Sequence, residues 1–193
     1  MAFPAGADFG AILARLTRGL AEQHLSFMVI GGQAVLLHGE PRLTQDIDLT
    51  VGATVDRLAD VLAACEWSRL SPLPSDVATF VRETFVLPVA DGETGTRVDI
   101  IFSQTPYERE AIGRAIAIDV GGTSVPFASA EDLVLHKLFA GRPRDIEDAE
   151  GIVRRKGRDL DWAYIRRWAM EFSEVPGREG MPDLVDELER GTL

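Results

Sequence analysis

Residues 29–52 read VIGGQAVLLHGEPRLTQDIDLTVG, and the order of apolar and small residues in that segment admits few arrangements. The preceding run SFMVI (26–30) is apolar, too short for a helix, and stops at Gly31 and Gly32, so it predicts a strand. QAVLLHG (33–39) predicts a short helix closed by Gly39, with Pro41 preventing its continuation. TQDIDLTVG (44–52) then predicts a second strand. Side chains at i and i+2 of a strand share a face, so Asp46 and Asp48 project together while Ile47 and Leu49 enter the core.

Two ionised carboxylates side by side repel each other, and a divalent cation relieves that repulsion. Magnesium takes oxygen ligands and keeps positions open for water and substrate phosphate, and manganese can substitute for it. Gly31 and Gly32 stand where strand becomes helix, so the backbone there can approach an anion and aim its N–H groups at phosphate oxygens. A metal at Asp46 and Asp48 facing a phosphate at the glycines is the geometry of metal-assisted phosphoryl or nucleotidyl transfer. A third carboxylate would complete a two-metal site or act as general base, and Asp99 in TRVDIIF (96–102) is the candidate.

Around this segment the chain reads as mixed. Phe9, Ile12, Leu13, Leu16 and Leu20 predict an amphipathic helix over about 7–23, and Val55, Leu58, Val61, Leu62 and Cys65 predict another. Residues 68–75, rich in proline and serine, read as a loop. TFVLPVA (84–90) and TRVDIIF (96–102) read as strands joined by DGETG, PYEREAIGRA (106–115) as a helix, and AIAIDVGGTSVPFA (115–128) as a hairpin turning at Gly121 and Gly122. From Ser129 the pattern is helical only. Ser129 and Asp132 open a first helix in the manner of a capping box, Ile146, Ala149, Ile152 and Val153 mark a second, and Trp162, Ile165, Ala169 and Phe172 a third behind Asp161. The expected division is therefore an α/β (α+β) domain over 1–128, with a small mixed sheet flanked by helices, and a C-terminal helical region over 129–193 packing on it.

The order Gly-Gly, short helix, Asp-x-Asp, later strand Asp resembles the DNA polymerase β-type nucleotidyltransferase superfamily. IGGQAVLLHGEPRLTQDIDLTV together with EDLVLHKLFAGRPRDIEDAEGIV is most similar to AbiEii-like nucleotidyltransferases, several of which are the toxins of type IV toxin-antitoxin systems; the likeness covers roughly 25–155. It implies a nucleotidyltransferase fold, NTP as donor, Mg2+ as cofactor, and RNA such as tRNA, a protein or a small molecule as acceptor, with an antitoxin protein as a possible partner. It also implies that Gly31 and Gly32 form the phosphate-binding turn, that Asp46, Asp48 and Asp99 hold metal, and that Lys137 reaches the triphosphate. Thr44 belongs to the common T-x-DID pattern, and Arg144, Asp145 and Asp148 match a charged motif of variable role.

Several of these residues have a plainer reading. Asp99 could pair with Arg97 at the surface. Lys137 could lay its stem on apolar surface with its charge in water. Arg144 and Asp148, at i and i+4, read better as a helix-surface ion pair. Arg42, before the Asp-x-Asp strand, could steady a phosphate or pair with Glu40; His38 reads as a helix end. Trp162 and Trp168 read as core or interface residues. The lone Cys65 allows no intrachain disulfide and reads as a buried thiol.

A formal charge of -11 opposes nonspecific attraction to nucleic acid or anionic lipid and favours a small cationic acceptor over RNA, although VRRKGR (153–158) could concentrate basic charge locally. The N-terminal residues lack a basic region followed by an apolar core, and no window approaches a membrane span, so a cytoplasmic location with no membrane partner is expected. The intact aspartate set argues against the remaining alternative, a noncatalytic nucleotide-binding module.

Overall fold

The computed structural model describes residues 7–191; the first residues, on which the expectation of no leader peptide rests, lie outside them. The described residues divide into two compact units, one formed by the chain through Ala34 together with Leu43–Ala128, the other by Val35–Arg42 together with the chain from Ser129 on. Within them no helix is long and apolar enough to cross a membrane.

The first unit is mixed α/β, as the sequence predicts. Its strands are β1 (Phe27–Ile30), β2 (Ile47–Val51), β3 (Leu70–Pro72), β4 (Val86–Asp91), β5 (Arg97–Phe102), β6 (Ile116–Val120) and β7 (Thr123–Phe127), in one sheet of order β3-β4-β5-β2-β1-β7-β6. β2 lies at its centre, antiparallel to β1 and parallel to β5. Leu49, Val51, Ile100 and Phe102 on these strands are completely buried, while Asp48 and Asp99 alternate onto the other face. Helix α1 (Ala7–Glu22) buries Ile12, Leu13, Leu16 and Leu20 and packs on α3 (Leu58–Trp67) and β7. A short 3-10 turn, Val55–Arg57, precedes α3 where the sequence suggested one continuous helix. Cys65 on α3 is buried as expected, and burial pushes its thiol pKa up to about 12.

Three local expectations are corrected. Gly31 and Gly32 are not a turn before the helix: they are the first residues of α2 (Gly31–His38). Asp46 is not in a strand, because β1 ends at Ile30 and its pairing with β2 begins at Asp48, leaving nothing on that side for residue 46 to bond. The segment 68–75 contains β3, an edge strand where Pro72 is tolerated, and the residues after it form α4 (Val77–Thr84), which the sequence did not suggest. Asp76 caps α4 by accepting the Thr79 N–H at 3.0 Å, and Phe85, with φ 58°, turns the chain into β4. α5 (Pro106–Gly113) starts with a full capping box at Thr105 and Glu108.

The second unit contains α6 (Ala130–Ala140), α7 (Pro143–Lys156), α8 (Trp162–Ser173) and α9 (Met181–Arg190), the last unanticipated. α6 packs on α7 and α8, and α8 on α9. The Ser129 hydroxyl accepts the Asp132 N–H at 3.1 Å and donates to the Asp132 carboxylate, which also takes a 2.7 Å hydrogen bond from the Tyr164 hydroxyl. Aspartate at this position thus ties the start of α6 to α8.

Candidate active site

In the first unit, local backbone chemistry brings the glycines to Asp48 and Thr44. Gly31 has φ +61°, a conformation that side chains resist, and this turns the chain from β1 directly into α2. Asp48 is the register partner of Ile30, the last residue of β1, so its carboxylate lies against the new helix start. A Cβ added at Gly31 would come within 2.8 Å of the Asp48 carboxyl carbon, and one at Gly32 within 2.7 Å of the Thr44 Cβ. Only glycine permits either approach. The positive end of α2 meets a carboxylate here, and the same backbone N–H groups suit a phosphate.

On the other side of β2, Asp48 and Asp99 are register partners in the parallel ladder, side by side on one face. Asp46 is exposed, just before β2, and Thr44 leans over its backbone, the hydroxyl 3.3 Å from the Asp46 carbonyl. Asp99 makes the ion pair with Arg97 that its plainer reading anticipated: Arg97 Nε stands 3.0 Å from both carboxylate oxygens and Nη2 2.9 Å from one. Among the described residues no three histidine, cysteine or acidic side chains are gathered as a metal-holding group. The donor chemistry nonetheless suits a hard cation: oxygen only, with two carboxylates side by side on adjacent strands beside a phosphate-compatible helix start. Magnesium commonly binds through one or two carboxylates, with water and substrate phosphate supplying the rest.

Two polar groups in this unit escaped the sequence reading. Gln33, directly after the glycines, is completely buried, and neither amide atom has a hydrogen-bond partner among the described residues. The Thr50 hydroxyl, on the same face of β2 as Asp48, is likewise buried without a partner. Buried polar atoms are ordinarily satisfied, so unpaired ones beside a site are notable. The visible signal for Gln33 was a lone amide inside the apolar run IGGQAVLL.

Arg42 and Lys137 belong to the second unit, where they share one carboxylate. Asp148 accepts two hydrogen bonds from Arg42, Nε to Oδ1 and Nη2 to Oδ2, each at 2.9 Å, and lies 2.9 Å from Lys137 Nζ. Lys137 is also 2.9 Å from Asp145, and its side chain is only 9% exposed. Its charge is neither solvated nor loose. Burial works against ionisation of Asp148, but the hydrogen bonds and charges of Arg42 and Lys137 outweigh it and hold its pKa below the usual carboxylate value. The expected Arg144–Asp148 surface pair is corrected: Asp148 faces inward, and Arg144 stands 4.0 Å from Glu147. Arg42 pairs with Asp148.

The basic run at 153–158 does not form a uniform cationic surface. Arg155 donates to the Gly39 carbonyl, Arg154 lies 3.8 Å from Glu150, and the cleft these residues line, of about 680 Å3, also carries Asp159 and Glu187. His38 ends α2 and is buried. Trp162 donates its indole N–H to the Gly157 carbonyl at 2.8 Å, and Trp168 packs 6.0 Å from Phe172 between ring centroids.

Residues 11–179 match a family model described as "Nucleotidyltransferase of unknown function (DUF6036)". No curated protein sequence matches the chain. Among solved structures, the fold is similar to an antigenic nucleotidyltransferase-like protein from Paracoccidioides brasiliensis (18% identity, 78% of each chain, TM-score 0.54). It is also similar to the solution structure of the antibiotic-resistance factor ANT(2'')-Ia (16% identity, 86% of this chain and 96% of that one, TM-score 0.56). The crystal structure of ANT(2'')-Ia in complex with adenylyl-2''-tobramycin aligns over 97% of this chain and 100% of that one, with 16% identity and a TM-score of 0.52.

Proposed function

The chain belongs to this family of nucleotidyltransferases, and from that premise we propose that it transfers a nucleoside monophosphate from an NTP to an acceptor hydroxyl, releasing pyrophosphate, with magnesium as cofactor. The observation that carries the residue assignment is the placement of Asp48 between the Gly31 helix start and Asp99. Gly31, Gly32 and the Thr44 hydroxyl bind the triphosphate. Asp46, Asp48 and Asp99 hold magnesium, which when bound neutralises phosphate charge and polarises the phosphoryl oxygen. Asp99 also accepts the proton of the acceptor hydroxyl as bond formation to phosphorus proceeds. The charges of Lys137 and Arg42 are committed to Asp145 and Asp148, so the triphosphate is assigned to the glycines and Thr44 without them. The domain organisation follows: residues 1–128 carry the chemistry and 129–193 form the helical region.

Two acceptor readings have support of different kinds. Similarity of EDLVLHKLFAGRPRDIEDAEGIV to toxin-like members favours RNA or protein, with growth arrest relieved by an antitoxin. The charge of -11 and the fold shared with ANT(2'')-Ia, an antibiotic-resistance factor, favour a small cationic molecule. Incubation with each labelled NTP, magnesium and cell extract, followed by fractionation, separates them. Label in RNA or protein supports the first, label in the small-molecule fraction the second, and no Mg2+-dependent label or pyrophosphate in any fraction refutes the transferase assignment.

A further inference from the structure

The first unit contains a cleft of about 500 Å3 that the donor side of the site does not use. Its walls come from the loop after β3 (Leu73, Pro74, Ser75), from α4 (Asp76, Thr79, Phe80, Glu83), and from Pro88 and Arg97 on the sheet. Pro88 is the register partner of Asp99 in the antiparallel β4–β5 ladder, and Arg97, two residues before Asp99 on the same strand face, holds its carboxylate. The cleft therefore begins one strand beyond Asp99, whereas Asp48 and the glycines lie on the opposite side of that residue. A group bound in it reaches Asp99 from the side away from the phosphate-compatible helix start. A nucleotidyltransferase acceptor must approach in this sense, because its hydroxyl attacks the α-phosphorus opposite the departing pyrophosphate.

The walls state what kind of acceptor fits. The volume is that of a small-molecule cleft. Leu73 is 53% exposed and Phe80 38%, both large apolar side chains presented to solvent where a ligand's apolar face would cover them. The charges are not balanced. Arg97 spends its charge on Asp99, Glu83 has no partner among the described residues, and Asp76, whose pKa the Thr79 hydrogen bonds and then the charge of Arg82 lower, stays ionised. Glu83 thus remains for a cation, with the Asp76 carboxylate lining the same cleft.

Resting on the nucleotidyltransferase reading above, we propose that the cleft between α4 and the Arg97–Asp99 edge is the acceptor subsite, built for a small hydroxyl-bearing amine with an apolar face. Phe80 and Leu73 cover the apolar face, Glu83 and Asp76 hold the ammonium, and the hydroxyl points along Pro88 toward Asp99. In the reaction the acceptor oxygen bonds to the α-phosphorus, the bond from that phosphorus to the pyrophosphate oxygen breaks, and the hydroxyl proton passes to Asp99.

The test is direct binding by titration calorimetry in the full chain, with Mg2+ and a non-hydrolysable NTP analogue present. Ethanolamine, glucosamine and kanamycin are the probes, and glucose is the uncharged control. At least one amine should bind wild type more tightly than glucose, and a Phe80→Ala/Glu83→Gln double variant should lose about tenfold or more of that affinity while binding the NTP analogue unchanged. Asp48→Asn should do the reverse, losing the analogue and keeping the amine. Failure of every amine to bind, equal binding by the double variant, or glucose binding as well as the amines overturns the subsite. Loss of the donor reading would show separately, as wild type failing to bind the NTP analogue or Asp48→Asn binding it unchanged.

Discussion

Replacing Asp148 with alanine removes the one carboxylate that Arg42 and Lys137 share. Its side chain is 5% exposed and faces three charged donor contacts, two from Arg42 and one from Lys137, all at 2.9 Å. Removing one partner of a buried ion pair costs about 3–5 kcal/mol, because the remaining charge stays desolvated. Two features of this network place the change at the lower end. Lys137 keeps Asp145 at 2.9 Å, and Arg42, 22% exposed, can swing part of its guanidinium into water. The expected loss is about 3 kcal/mol, which in a chain of this size lowers Tm by roughly 6–12 °C. Circular dichroism melts of wild type, Asp148→Ala, Arg42→Ala and the double variant measure it. The pair should show a coupling of about 1–3 kcal/mol, whereas Arg144→Ala, whose 4.0 Å pair with Glu147 is mostly exposed, should change stability by less than about 0.5 kcal/mol. The same proteins are then assayed for the KM of the NTP. An Asp148→Ala melt within about 2 °C of wild type together with a large rise in NTP KM would show that this network serves the nucleotide, and the structural reasoning would be wrong.

At Asp48, asparagine should remove about a thousandfold or more of transfer, since several kcal/mol of charge stabilisation disappear, while the melt stays close to wild type; near-normal pyrophosphate release would refute its role. Gly31→Ala forces a Cβ into the Asp48 carboxyl at φ +61°, so it should cost about 1–2 kcal/mol and weaken NTP binding. An unchanged dissociation constant would count against the glycine contact. Burial opposes ionisation of both Asp148 and Asp91, but Arg42 and Lys137 at the first, and Thr94 and Arg15 at the second, lower their pKa values. Their contribution to stability is therefore fully present above the unfolded carboxylate pKa of about 3.9 and is lost as pH falls through the lower folded values. Urea midpoints should hold from pH 7 to 5 and fall below about pH 4; a flat midpoint down to pH 3 contradicts the assignment. Cys65, buried with a pKa pushed up to about 12, should resist maleimide at pH 7.5 until the protein is unfolded in denaturant.

The backbone arrangement around the glycines and Asp48 was legible because it is set locally. A glycine pair between strand and helix and an Asp-Ile-Asp run each leave a mark within a few residues; Asp48 does face Asp99, but the glycines open α2, and Asp46 stands outside β2, so the strand alternation does not reach it. The α4 segment was hidden by composition. Val77, Thr79, Val81 and Thr84 are β-branched and lower helix propensity, yet the Asp76 cap and the burial of Val81 hold the helix. The charged network was hidden differently. Arg42 and Asp148 are 106 positions apart, so no spacing rule connects them, and the i, i+4 spacing of Arg144 and Asp148 pointed to a pair that does not form. Yet α7 buries Asp145, Asp148, Ala149 and Ile152, a stripe at i, i+3, i+4 and i+7. Two aspartates on the apolar stripe of an otherwise highly charged helix already demand buried cations as partners, because an unpaired carboxylate there would be protonated or exposed. Reading the helix by its buried face would have assigned Asp148 inward and excluded the Arg144 surface pair. It would also have called for cations such as Lys137 and Arg42 inside the protein, which is why their charge is better explained by Asp145 and Asp148 than by the triphosphate.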